Sequence, residues 1–292
     1  MQNVIEKAAV LIEALPYIQR FRGETVVVKF GGSIMDDETG VSNILKDVAF
    51  MECVGLRPVI VHGGGKAISR KMKERGLKPA FLNGLRVTDE AAIGLVEHVL
   101  NHEVNPRLVS VLQTFECKAR GMHGDDLLRV VRHTEKDEKT GKERDWGYVG
   151  DVTEVDTTPL DAFLRAGITP VVTPLGRGED RKIYNVNADD AAAALARALK
   201  ARKLVFLSDV PGLLADPSDP ESRISTVKVQ EVESLIHRKV IDGGMLPKIS
   251  GAVKALKEGV RKTHIIDAAM PHSLLLELFT DKGVGTEIVQ EL

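Results

Sequence analysis

The sequence is poor in the features that mark several large functional classes. It has two cysteines, Cys53 and Cys117, in 292 residues. Two cannot build a disulfide framework, and a reducing compartment fits them. Aromatic residues make up 4%, too few for the stacking platforms that hold single-stranded nucleic acid. Lys+Arg (40) and Asp+Glu (42) nearly cancel, leaving a formal net charge of −2. That balance excludes a nucleic-acid binder working through bulk positive charge. No apolar run approaches the roughly 20 residues that cross a bilayer. The opening MQNVIE lacks the basic-then-apolar order of a secretory signal. A cytoplasmic soluble protein with no nucleic-acid or membrane partner is expected.

Several catalytic signatures are also missing. The P-loop pattern G-x-x-x-x-G-K-[ST] does not occur. A dinucleotide pattern begins at Gly63 but ends on Ile68, where the last glycine should stand. The run Gly31-Gly32-Ser33-Ile34 ends in Met35, so there is no G-x-S-x-G nucleophile elbow. No Cys or His cluster has zinc spacing, and no metal ligand is assigned. His98 and His102 share a helix face but lack a third ligand nearby, which reads as a solvated face.

What remains is ordinary globular composition, 43% hydrophobic and 28% charged. At roughly 150 residues per domain, the length fits one large domain or two closely joined lobes. Val4, Ala8, Leu11, Leu15 and Ile18 step by 4, 3, 4 and 3, an amphipathic helix that Pro16 should stop or bend. It packs either on its own domain or on another subunit. Thr25–Phe30 (TVVVKF) and Pro58–His62 (PVIVH) read as buried strands, each running into glycines, with a helix over about 41–54 between them. Such alternation predicts a mainly parallel sheet covered on both faces. Residues 89–118 read as helix interrupted near Pro106, and Leu127–Arg132 as a strand. Nine of the thirteen residues His133–Asp145 are charged, a solvated hairpin tip, with Trp146–Val149 and Val152–Val155 as returning strands. Further strands are expected at Ile168–Thr173, Lys203–Leu207, Thr263–Ile266 and Thr286–Val289. Helices are expected at Pro159–Ala166, Asn187–Ala201 with Asn187 as N-cap, Leu246–Lys257 and Ser273–Phe279. The proline-bearing stretch Ala215–Arg223 reads as loop.

The chemistry-bearing residues gather at predicted strand ends and helix starts. Gly31-Gly32 and Gly63-Gly64-Gly65 fall at the carboxyl ends of parallel strands, where open α/β sheets hold ligands. Glycines there let backbone N–H groups approach an anion; plain turn chemistry is the alternative. Lys29 lies inside an apolar strand, which is costly without a partner unless the side chain snorkels to water. Lys248 follows Pro247 at a helix start, where the dipole disfavours a cation, so an anionic ligand or simple exposure must explain it. Asp189 occupies the first turn of its helix, and capping alone could account for it. Arg86 carries a fork suited to a carboxylate, unless it is a surface-loop arginine. Together they describe an anion pocket, most simply for phosphoryl transfer from a nucleotide.

VVVKFGGS, VIVHGGG, NGLRVTD, YNVNAD, LSDVPGLL and GGMLPK, in that order over about residues 25–290, resemble the amino acid kinase family. NGLRVTD with NVNAD resembles the branch acting on N-acetyl-L-glutamate. The glycine loops alone would also fit relatives acting on carbamate, glutamate, aspartate or UMP. The resemblance implies a three-layer αβα sandwich with an added N-terminal helix. Residues 1–20 would serve oligomerisation, 21–180 would hold the acceptor and 181–292 would hold ATP. ATP would phosphorylate the side-chain carboxylate of acetylglutamate in arginine biosynthesis, with Mg2+ held mainly by the phosphates. Lys29 and Lys248 would stabilise the migrating phosphoryl group, organised by Asp189. Gly64, Gly65, Arg86 and Asn185 would hold acetylglutamate. Gly31 and Gly32 would donate to phosphates, and Ser208, Asp209, Val210, Pro211, Gly212 and Leu213 would border the nucleotide. The extra first helix resembles that of arginine-inhibited homohexamers built as trimers of dimers. Tyr17, Lys203, Glu277 and the Lys282-Gly283 pair resemble their inhibitor region. No sequence feature speaks for or against a signalling partner, and the length leaves no room for a fused acetyltransferase. The rival readings are another kinase of this family and a non-catalytic arginine or nucleotide sensor.

Overall fold

The computed structural model of the chain describes residues 2–82, 84–136, 143–216, 218–280 and 283–291. Asn83 of NGLRVTD, Lys282 and the centre of the charged hairpin tip lie outside the described residues.

In chain order, α1 (Gln2–Phe21) leads to β1 (Thr25–Phe30), α2 (Glu38–Cys53), β2 (Arg57–His62) and α3 (Gly65–Glu74). A small hairpin, β3 (Ala80–Leu82) and β4 (Leu85–Val87), precedes α4 (Glu90–His98), α5 (Asn105–Thr114) and β5 (Ala119–Met122). The short α6 (Gly124–Leu127) opens into β6 (Leu128–Lys136), β7 (Glu143–Val155), α7 (Thr158–Arg165) and β8 (Thr169–Val172). Then follow β9 (Leu175–Gly178), β10 (Ile183–Asn185), α8 (Ala188–Ala198) and β11 (Lys203–Ser208). The last part holds β12 (Leu213–Leu214), β13 (Arg223–Ile224), β14 (Thr226–Lys228), α9 (Val232–His237), α10 (Met245–Lys257), β15 (Lys262–Asp267), α11 (Ser273–Phe279) and β16 (Thr286–Val289).

Eight strands form one sheet in the order β14-β16-β15-β11-β1-β2-β8-β5, parallel except where β16 meets β15. One sheet therefore runs through both halves of the chain, and helices cover both faces. Alternation along β1 sorts its side chains: Val26, Val28 and Phe30 enter one core, while Val27 enters the other, among the alanines of α8. Lys29 has the parity of Val27 and so emerges on the α8 side. Strands β6, β7, β9 and β10 close into a small barrel beside the sheet.

Three expectations are corrected. The first helix runs through Pro16 to Phe21, although an interior proline costs about 3 kcal/mol. Tyr17, Ile18 and Phe21 pack on the core beyond it and hold that last turn. Upstream, Ile5, Val10, Leu11, Ile12 and Leu15 stay exposed, so this part of the helix does not pack on its own domain. The interruption near Pro106 is a π-helical segment over Val99–Val104; Pro106 itself sits comfortably in the first turn of α5. The two returning strands are one, β7, which bends at register shifts opposite β6 rather than breaking. His98 and His102 are both exposed, as a solvated face requires, and the His123 ring lies 6.0 Å from that of His102. Among the described residues no such group is arranged to hold a metal ion.

Candidate active site

The carboxyl ends of β1, β2 and β11 meet the start of α8 at one rim of the sheet. Asn187 caps α8 by accepting from the N–H groups of Asp189 and Asp190, which fixes Asp189 in the first turn. Its carboxylate receives both lysines. Lys29 Nζ lies 2.6 Å from Oδ1, and Lys248 Nζ donates to Oδ2 at 2.8 Å. All three side chains are largely buried, at 10%, 16% and 7% exposure for Lys29, Lys248 and Asp189. Burial alone would raise the Asp189 pKa; Lys29 and then Lys248 outweigh it and hold the carboxyl below its ordinary value. The trio carries two positive charges and one negative, a net +1 in a water-poor place.

The two glycine loops pack directly on each other. A Cβ on Gly31 would stand 3.2 Å from Gly63 Cα, and one on Gly63 would stand 3.2 Å from Gly31 Cα. Gly63 N–H donates to Phe30 O at 2.8 Å. Gly32 has φ +75, and Ser33 N–H donates to Asp209 Oδ2. This brings the loop after β11 against the loop after β1. Ser208 closes β11, Val210 is exposed, and Gly212 takes φ +128 against Thr286. Leu213 turns its side chain into the core.

Gly64, Gly65, Arg86 and Asn185, named from sequence as one group, line a single cleft of about 150 Å³. Arg86 is not a surface-loop arginine. It is 6% exposed, lies under the Phe81 ring with its guanidinium carbon 4.6 Å from the centroid, and donates to Gly65 O and Ser69 Oγ at 2.7 Å. Asn185 reaches Thr88 Oγ1 at 3.4 Å. Ser69, Thr88 and Phe81 escaped the sequence reading. A signal for Ser69 existed, since four residues after Gly65 it faces the same side of α3.

A second cleft, about 480 Å³, opens where α1 meets the amino end of β11 and α11. Tyr17, Lys203, Glu277 and Gly283 all line it. Glu277 accepts from His264 at 2.7 Å and from the Val284 and Gly285 N–H groups. Burial would raise its pKa, and His264 with these donors carries it below the usual range. Lys203 has an aromatic neighbour, Phe21, 5.2 Å from ammonium to ring centroid, and burial pushes it down to about 8.

A profile of the amino acid kinase family matches residues 24–267. Acetylglutamate kinase of Symbiobacterium thermophilum is 46% identical over 291 residues, 99% of either chain. That of Akkermansia muciniphila is 48% identical over 290 residues, covering 99% of this chain and 97% of the relative. Among solved structures, N-acetylglutamate synthase from Neisseria gonorrhoeae, complexed with coenzyme A and N-acetyl-glutamate, superposes with TM-score 0.84 at 30% identity. The match covers 98% of this chain and 64% of the synthase. Giardia carbamate kinase, at 14% identity and TM-score 0.65 over 92% of this chain and 99% of its own, shares the fold. The chain therefore belongs to the amino acid kinase family, among its acetylglutamate kinases.

Proposed function

We propose that the chain transfers the γ-phosphoryl group of ATP to the side-chain carboxylate of N-acetyl-L-glutamate. The observation that carries this reading is the Lys29–Asp189–Lys248 trio, a net positive clamp between two glycine loops. A γ-carboxyl of pKa about 4.3 is ionised roughly 500 to 1 at pH 7. It attacks phosphorus without a general base, and no histidine or cysteine needs to stand beside it. The new O–P bond forms as the bond to the β,γ-bridging oxygen breaks, and ADP leaves with that electron pair. The difficulty is bringing one anion against another. Two fixed ammonium groups answer it, with Asp189 holding them apart at a set spacing.

Arg86, stacked on Phe81 and anchored through Nη2 to Gly65 and Ser69 and through Nη1 to Met72, would set its positive charge against the acceptor's α-carboxylate, and Gly64, Gly65 and Asn185 complete that site. Gly31 and Gly32 serve the phosphates, and Ser208–Leu213 border the nucleotide. Ammonium and amide groups at this rim are anion ligands, so magnesium would ride on the phosphate oxygens. The acceptor half of the chain is then 21–180 and the nucleotide half 181–292.

Feedback inhibition by arginine at the second cleft is part of the proposal. Glu277 is a carboxylate with bonding capacity toward a guanidinium, and Lys203 is a buried cation ready for an α-carboxylate. The exposed apolar residues of α1 would interlace two subunits, and three such dimers would form a hexamer. A cytoplasmic setting agrees with two free cysteines. The test is a hydroxamate assay for acyl phosphate with ATP and acetylglutamate, with and without arginine. Carbamate, glutamate, aspartate or UMP working in its place would overturn the substrate. ATP left unconsumed with every acceptor would make the chain a sensor.

A further inference from the structure

His62 closes β2 immediately before the glycine loop of the acceptor cleft, and none of its surface is exposed. The reaction needs no base, yet both ring nitrogens are engaged. Nδ1 lies 3.1 Å from Gly63 O, and Nε2 lies 3.1 Å from Asn105 Nδ2. That same Asn105 nitrogen donates to Val171 O at 2.8 Å, which identifies it as the amide N–H₂ rather than the oxygen. A carbonyl only accepts and an amide nitrogen only donates. The hydrogen therefore sits on Nδ1 and the lone pair on Nε2. Burial pushes the ring pKa down to about 4, so the ring stays neutral at working pH.

The consequence lies in the peptide between Gly63 and Gly64. Its C=O and N–H belong to one trans plane and point in opposite directions. With the carbonyl turned inward to His62, the Gly64 N–H turns toward the cleft, where it has no acceptor among the described residues. A peptide flanked by two glycines meets no Cβ and is unusually easy to flip. Something must hold it.

We propose that His62, oriented by Asn105, is a positioning residue that latches the Gly63–Gly64 peptide so that the Gly64 N–H faces the acceptor's oxygen. Asn105 is itself fixed, buried and pressed against Gly121, where a Cβ would come within 2.1 Å of its Oδ1. This rests on the acetylglutamate reading and assigns that site one more pair of residues.

Two variants of the full-length chain separate the latch from mere packing. In His62→Asn the side-chain amide lies near the Nδ1 position and still donates to Gly63 O. In His62→Gln it lies near the Nε2 position and still meets Asn105, but the donor to Gly63 O is gone. Both replace the same buried ring and should lower the unfolding temperature alike. The latch predicts an acetylglutamate KM within about threefold of wild type for His62→Asn and at least about tenfold higher for His62→Gln, with the ATP KM unmoved in both. Equal acetylglutamate KM values in the two variants overturn it. Nitrogen NMR of His62 in the unsubstituted protein, should either variant fail to fold, must show a neutral ring protonated at Nδ1; the other tautomer or a charged ring overturns the latch. An unsubstituted chain inactive on acetylglutamate overturns the function itself, an outcome distinct from an active chain whose two variants behave alike.

Discussion

The lysine–aspartate trio and the cleft under α1 treat buried charge in opposite ways. At the rim where α8 begins, Lys29 and Lys248 already share the Asp189 carboxylate, and the trio keeps a net positive charge. In the cleft under α1, opposite charges share a wall but are satisfied separately. Glu277 is held by His264 and backbone donors, whereas Lys203 leans on Phe21. A clamp of the first kind suits a ligand that is negative throughout. A cleft of the second kind suits one that brings both signs. The same residue types thus give two different charge patterns, according to whether the charges are allowed to meet, and the proposed polyphosphate and arginine ligands follow that difference.

The largest effect should come from breaking the clamp. Lys248→Ala is expected to fold and to lose 10²–10³ in turnover, about the cost of removing one preorganised donor; near-normal turnover would remove Lys248 from the mechanism. Next, Glu277→Gln keeps the shape of the second cleft but loses its negative charge, and the arginine concentration for half-inhibition should rise at least about tenfold. A titration sharpens the same point. With its folded pKa lowered from 10.5 to about 8, Lys203 is charged below that pH and progressively neutral above it. Arginine inhibition, scaled to the uninhibited rate at each pH, should therefore weaken by up to about tenfold per unit above pH 8. Inhibition constant from pH 7 to 9.5 would detach Lys203 from the inhibitor. The smallest effect on turnover is expected from deleting residues 1–20, which should give dimers by light scattering and blunt the arginine response. A truncated hexamer would show that α1 does not join the dimers.

How much could be read in advance depended on whether the physics was local. TVVVKF announces a strand through its β-branched run, and Asn187 announces a helix start through its cap; both lie where expected. Lys29 was legible because a cation in an apolar strand demands an explanation. That Asp189 supplies it followed only from the family resemblance and not from the residues themselves, since 160 residues of chain separate them and only the sheet order β11-β1-β2 brings α8 over β1. The π-helical segment Val99–Val104 has no simple sequence pattern; it runs between Leu100, which lies against Gly64, and Asn105, which reaches His62 and Val171. Nor did the sequence show that α1 would continue past Pro16, where tertiary contacts of Phe21 overrule a local penalty. His62 passed as the last residue of a strand. A histidine closing a wholly apolar run before three glycines was the unused signal.

The direct contact of Gly31 with Gly63 limits how this molecule can be redesigned. A side chain at either position would wedge the two loops apart, so neither can be altered while its neighbour stays still. Attempts to change which carboxylate is accepted should leave both strand ends alone and work on the β3–β4 hairpin. There Phe81 is 58% exposed, stacks on Arg86 and lines the same cleft as Gly64, Gly65 and Asn185.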